Sequence, residues 1–158
     1  MGMIRLIDSL EGTTEAGLKV TIVNEPLQVR KMMLDGTADF ALLPTTMAAI
    51  VYNKGLDYKL AAIPVWGTLY LFGRDTAITS WEDLRHKTVH VMARGMTPDL
   101  LFRYLLQKKG IDPGKDITLD YRFSTHIDLA NAVASDQASL GVISEPLVSQ
   151  VMHLNSKV

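Results

Sequence analysis

The chain has 158 residues, 47% hydrophobic and 21% charged, with 16 basic and 17 acidic side chains and a net charge of −1. That length and composition suit one ordinary domain or two small lobes with packed cores, and argue against disorder. The balanced charge offers no basic field for nucleic acid, and the absence of cysteine rules out disulfides, thiol catalysis and cysteine–zinc sites.

No apolar run approaches membrane-spanning length. The opening "MGMIRLIDSL" lacks the charged, apolar and small-residue regions of a signal peptide. It reads as an amphipathic helix, with Met3, Ile7 and Leu10 on one side and Arg5 and Asp8 on others. A chain that opens inside a helix reads as truncated at its start.

Short apolar runs then alternate with helical patterns. "VTIV" (20–23) is expected as a strand before a helix from Pro26 to Leu34, and "FALL" (40–43) as a strand before a helix from Thr45 to Asn53. Two extended runs follow, "YKLAAIPVW" (58–66) and "TLYLFG" (68–73), joined at Gly67. "TVHVM" (88–92) leads to a helix opened by Thr97 as cap and Pro98 as first residue, and stopped at Gly110. "LDYRF" (119–123) precedes a helix over 126–135, and "LGVI" (140–143) one from Glu145 to Leu154. Strands alternating with helices predict an α/β fold with parallel or mixed sheets. The uniformly apolar "FALL", "TVHVM" and "LGVI" suit strands buried on both faces, whereas the alternation in "LDYRF" suits a sheet edge.

An offset of one hundred residues lays "VTIVNEPLQVRKMMLDGTADFALLPTTMAAIV" (20–51) without a gap over "DYRFSTHIDLANAVASDQASLGVISEPLVSQV" (120–151). Ala38 falls on Ala138 and Val51 on Val151, and the order of elements is the same. Two similar lobes are therefore expected, 1–73 and 74–158. The first lacks the strand that should feed its opening helix.

Four phrases in order carry a resemblance: "LDGTADFALLPTTMAAIVYNKG" (34–55), "VWGTLYLFG" (65–73), "SWEDLRHKTVHVMARGMTPDLLFRYLLQKKGIDPGKDITLDY" (80–121) and "LGVISEPLVSQVM" (140–152). Together they resemble periplasmic-type substrate-binding proteins of ABC transporters, in the nitrate/sulfonate/taurine and thiamine-precursor group. The resemblance implies a type II two-lobed fold, here without its first strand and its C-terminal return. It also implies capture of a small molecule between the lobes by hinge closure, delivery to a membrane permease, and an extracytoplasmic location whose signal segment is absent from this chain.

In such open sheets ligands sit beyond the carboxyl ends of the strands, where strand order reverses. With each lobe ordered 2-1-3, the loops there are Arg94-Gly95-Met96-Thr97, Glu145 with its neighbours, and Thr45-Thr46. All three run into helix starts, whose free N–H groups suit an anion. Each residue has a plainer reading beside the functional one. Thr45, Thr46 and Thr97 suit helix caps. Asp99 already complements the helix dipole and would repel an anion. Glu145 suits a first-turn acid or an acceptor for a ligand N–H, which would admit a zwitterion. Trp66 beside Gly67 suits stacking on a flat ligand or packing at the hinge, and Arg94 suits a bidentate anion contact or simple exposure.

Catalytic signatures are lacking. Histidines 86, 90, 126 and 153 are scattered, and no metal, phosphate-loop or dinucleotide pattern occurs. No enzyme activity and no cofactor are expected. The alternatives are an enzyme on the same fold, of pyrimidine-precursor or menaquinone-pathway type, and an effector-binding module of a transcription regulator. The lost strand predicts an exposed sheet channel in the first lobe, promoting self-association or pairing with a separate segment.

Overall fold

The computed structural model describes residues 4–11, 17, 19–23 and 25–155. The chain divides into two compact units, 1–67 and 68–158.

The second unit is built on a four-stranded mixed sheet of β1 (Leu69–Gly73), β2 (Thr88–Val91), β3 (Thr118–Asp120) and β4 (Leu140–Ser144), in the order β1-β4-β2-β3. β2 runs parallel to both β3 and β4, while β1 pairs antiparallel with β4, Leu69 opposite Ser144. The expected 2-1-3 order holds for β3, β2 and β4, and the alternating "LDYRF" does begin at a sheet edge. Its strand stops at Asp120, and the alternation stops with it. Leu119 and Tyr121 pack on one core, but Phe123 packs on the other.

Two cores sandwich this sheet. Val89, Val91, Leu140 and Val142 face Phe102 and Leu106 of a helix spanning Thr97–Lys108. On the reverse face Ile143 meets Leu129, Val133, Val148 and Val151, from helices His126–Ala134 and Leu147–Leu154. β4 is thus buried on both sides, which explains why its sequence is apolar throughout. Gly141 lets the reverse-face helix approach closely. A Cβ there would already touch Leu129 and Val133 at 3.4 Å.

In chain order the helices are α1 (Ile4–Glu11), α2 (Pro26–Leu34), α3 (Thr45–Asn53), α4 (Thr97–Lys108), α5 (His126–Ala134) and α6 (Leu147–Leu154). α1 and α2 lie close to where the sequence places them; of the expected apolar side of α1, Met3 falls outside the described residues. α4 starts one residue before the expected Pro98 and ends as expected. Gly110, at φ +76°, closes a reciprocal pair of bonds, its own N–H to Gln107 and that of Ile111 to Leu106. α6 begins at Leu147 rather than Glu145, and Glu145 and Pro146 form the turn before it.

The first unit departs further from expectation. Among its described residues 20–23, 40–43 and 58–66 form no strand. Apolar character signals burial, but a strand also needs a neighbour to complete its hydrogen bonds, and no described segment supplies one. Phe40, Leu42 and Ile22 are exposed. What holds the unit is local: Met33 of α2 with Met47 and Val51 of α3 are buried, and the Tyr58 hydroxyl donates to Ala38 O at 2.5 Å. The run 68–73, expected to close the first lobe, instead supplies β1 to the sheet of the second unit.

The repeat survives at the helix ends. After α2, Gly36 takes φ +66° and Thr37 N–H donates to Met32 O at 2.9 Å; after α5, Asp136 takes φ +67° and Gln137 N–H donates to Ala132 O at 2.8 Å. One hundred residues apart, the same bonds close the same kind of helix end.

Candidate functional site

Because β2 and β4 are parallel neighbours, the loops that follow them leave from the same end of the sheet. The second unit thereby gathers Arg94, Gly95, Met96, Thr97 and Glu145 on one edge. The first residue of this unit joins them, since Glu145 N–H donates to Thr68 O at 3.1 Å. Thr45, Thr46, Trp66 and Gly67 belong to the first unit.

The loop after β2 is tightly wound. Ala93 takes φ +53° and Gly95 φ +77°, the left-handed region that costs any residue with a Cβ. Met96, not Thr97, occupies the cap position of α4, and its side chain makes no cap bond. That role passes to Asp99, which reaches back from the first turn to accept the Gly95 amide at 2.7 Å. The Met96 amide donates to Ala93 O at 2.9 Å. The amides of Gly95 and Met96, expected to be available to an anion, are therefore already bonded within the loop.

Asp99 is almost fully buried, its side chain 4% exposed. Besides Gly95 it accepts the Arg103 Nε–H at 2.7 Å and the Tyr121 hydroxyl at 2.6 Å. The Tyr121 oxygen in turn accepts from Arg103 Nη2 at 2.7 Å. Burial alone would raise the Asp99 pKa, but the bonds from Tyr121, Gly95 and Arg103 outweigh it and hold the carboxyl below its ordinary value. Burial, together with the Asp99 bond, pushes the Tyr121 phenol up. Asp99 stays ionised and Tyr121 stays a donor. The charge that argued against an anion here is neutralised by Arg103.

Arg94 is exposed, its guanidinium over the Tyr121 ring at 5.5 Å from the centroid. No carboxylate of the described residues lies within ion-pair distance of it. Sequence reasoning missed Tyr121 and Arg103. The i, i+4 spacing of Asp99 and Arg103 was a legible sign of an ion pair on one helix face; nothing local announced Tyr121, which lies just past β3.

Glu145 and Trp66 have partners of their own. The Glu145 carboxylate accepts from Ser149, its hydroxyl at 2.8 Å and its amide at 3.2 Å. Pro44 occupies the cap position of α3, so Thr45 and Thr46, expected as caps, are its first two helical residues. Trp66 is 77% exposed and donates its Nε1–H to Ile63 O at 2.8 Å. Gly67 takes φ +62°. An open groove of about 430 Å³ lies elsewhere in the second unit, along α5 between Arg122, Phe123 and Asn131, and none of the expected residues borders it.

Residues 2–157 match the family model described as ABC transporter, phosphonate, periplasmic substrate-binding protein. The chain belongs to this family. Among solved structures it is similar to an ABC transporter protein from Parabacteroides distasonis, with a TM-score of 0.81 and 29% identity over 99% of this chain and 53% of that one. The periplasmic aliphatic sulphonate binding protein SsuA from Escherichia coli shares the fold, with a TM-score of 0.70 and 19% identity over 96% of this chain and 53% of that one. A stretch of 83 residues, 52% of this chain, is 32% identical to YtlA of Bacillus subtilis (strain 168), of which it covers 25%. The chain thus spans about half the length of these solved structures. Among the described residues no helix is long and apolar enough to cross a membrane.

Proposed function

We propose that this chain forms part of the solute-binding component of an ABC transporter, acting outside the cytoplasm and delivering a small anion or zwitterion to a membrane permease. Family membership supports the class. The observation that carries the ligand reading is Arg94, a guanidinium at the carboxyl end of the sheet with no carboxylate partner among the described residues. A planar cation with several donors suits a sulfonate, phosphonate, nitrate or carboxylate group. Glu145, although it accepts from Ser149, keeps lone pairs for a ligand N–H. An anionic head on Arg94 with an amine on Glu145 describes an aminoalkyl sulfonate or phosphonate. Thr45, Thr46, Trp66 and Gly67 are proposed as the first unit's contribution, Gly67 serving as the pivot for closure on the ligand.

Isothermal titration with paired probes tests this reading: taurine against ethanesulfonate, and 2-aminoethylphosphonate against ethylphosphonate. The expected result is saturable binding, tighter for the member of each pair that carries the amine. Turnover of any probe would favour an enzyme, and absence of binding by all four would overturn the ligand class.

A further inference from the structure

The loop between β2 and α4 is held at two consecutive residues by two different devices. Gly95 is held through its backbone, by the buried Asp99 carboxylate at 2.7 Å. Arg94 is held through its side chain, by the Tyr121 ring at 5.5 Å. The two devices share one residue, since the Tyr121 hydroxyl donates to that same carboxylate at 2.6 Å. Arg103 closes the triangle, with Nε on Asp99 and Nη2 on the Tyr121 oxygen, both at 2.7 Å. Four side chains and one amide thus form a single network, joining two places on α4, the residue after β3 and the loop itself.

The charges give this network a direction. Asp99 and Arg103 cancel within it, and the positive charge of Arg94 remains. The cation lies over a ring whose hydroxyl is itself hydrogen-bonded, so the surface that holds Arg94 is in place before any ligand arrives. The Gly95 and Met96 amides are already used, which leaves the Arg94 side chain as the charged group that the loop offers an anion.

We propose that Tyr121 and Asp99 are the positioning residues of the ligand-binding loop, and that the loop recognises its ligand through the Arg94 guanidinium they hold rather than through the Gly95 and Met96 amides. The proposal rests on the reading of Arg94 as a ligand contact. It assigns to Tyr121 a role that its packing alone does not require.

A double-mutant cycle on the full chain separates the two roles. Affinity for the four probes is measured for the parent, Tyr121→Leu, Arg94→Ala and the double variant, beside thermal unfolding of each. Tyr121→Phe, which keeps the ring and loses only the hydroxyl, serves as the gentler variant. The expected result is that Tyr121→Leu weakens binding about 10-fold in the parent and not at all once Arg94 is alanine, while its effect on unfolding temperature is the same in both backgrounds. Tyr121→Phe should weaken binding about threefold. An equal loss of affinity with and without Arg94 overturns the proposal, because Tyr121 would then act only on stability. NMR of the Gly95 amide distinguishes failure of this proposal from failure of the ligand reading. A slowly exchanging proton that Asp99→Asn releases, in a parent that binds no probe, means that the network exists and the ligand assignment is wrong, and the proposal falls with it. A rapidly exchanging Gly95 amide in a parent that does bind means that the network itself is absent.

Discussion

The Glu145 carboxylate accepts the hydroxyl and the amide of Ser149, four residues on, and so closes the first turn of α6. This bond separates the two readings of Glu145. Glu145→Ala should lower stability by about 1 kcal/mol, the usual cost of a lost helix-start acceptor. Glu145→Gln keeps an acceptor and should cost little stability, but it removes the charge that an ammonium would meet. Taurine binding should then fall about 10-fold relative to ethanesulfonate, measured by titration; equal losses for the two probes would confine Glu145 to capping.

Close approach of backbones, rather than side-chain packing, governs the β1–β4 edge. A Cβ on Gly73 would stand 2.0 Å from the Ser139 carbonyl oxygen, with no flexible group to move aside. Gly73→Ala should therefore destabilise the second unit by about 3 kcal/mol, at the upper end for overpacking. Gly114→Ala is the control, since its nearest neighbour is the Asp112 side-chain oxygen at 3.3 Å. Urea midpoints of both variants give the comparison; similar values would disprove the clash.

His90 lies on β2 opposite Asp120 of β3, its Nδ1 3.8 Å from that carboxylate and without a hydrogen bond. Burial holds the ring below the ordinary histidine pKa of 6.5; Asp120 pulls it up and Arg122 pushes it down. A base depressed in the folded state stays neutral there while the unfolded chain takes up a proton. Its stabilising contribution is thus full above about pH 6.5 and is lost as pH falls toward the lower folded value. His126 is depressed in the same direction by burial. Urea unfolding from pH 8 to pH 5 should show stability falling with acid, with a shallower fall in His90→Leu. An unchanged slope in that variant would remove His90 as the cause.

The N-terminus of α5 is capped by Thr125, whose hydroxyl oxygen accepts the Asp128 amide at 3.0 Å while the hydroxyl donates to the Asp128 carboxylate at 2.7 Å. Thr125→Ala should cost about 1 kcal/mol, and Thr125→Ser should restore most of it. Thermal unfolding checks both. The functional loops lie on other elements, so probe affinity should not change.

Unpaired apolar chain in the first unit has a consequence for assembly. Phe40 is 84% and Leu42 57% exposed, in a run with no ladder among the described residues. Extended segments with open hydrogen-bonding groups invite a second chain. Sedimentation should show association that grows with concentration and that Phe40→Lys weakens. A parent that stays monomeric at high concentration would count against this.

The sequence by itself determined the helices and, in the second unit, the alternating order of elements, since 3.6-residue periodicity and the glycine at a helix end act over a few neighbouring residues. It also carried the repeat, which returns as matching bonds at Thr37 and Gln137. It marked Arg94, Gly95 and Glu145 through their place at the ends of apolar strands. Only the tertiary structure decided which apolar runs become strands, because "LGVI" finds two neighbours and "FALL" finds none among the described residues, although their compositions are alike. It also decided what the loop after β2 can present. Asp99 reads as a charge opposed to an anion, but Arg103 and Tyr121 lie beside it, and Tyr121, just past β3, is 22 positions away in the chain. Hydrogen bonds between distant segments leave no periodic trace in a chain, so the groups that hold Arg94 could be found only by folding it.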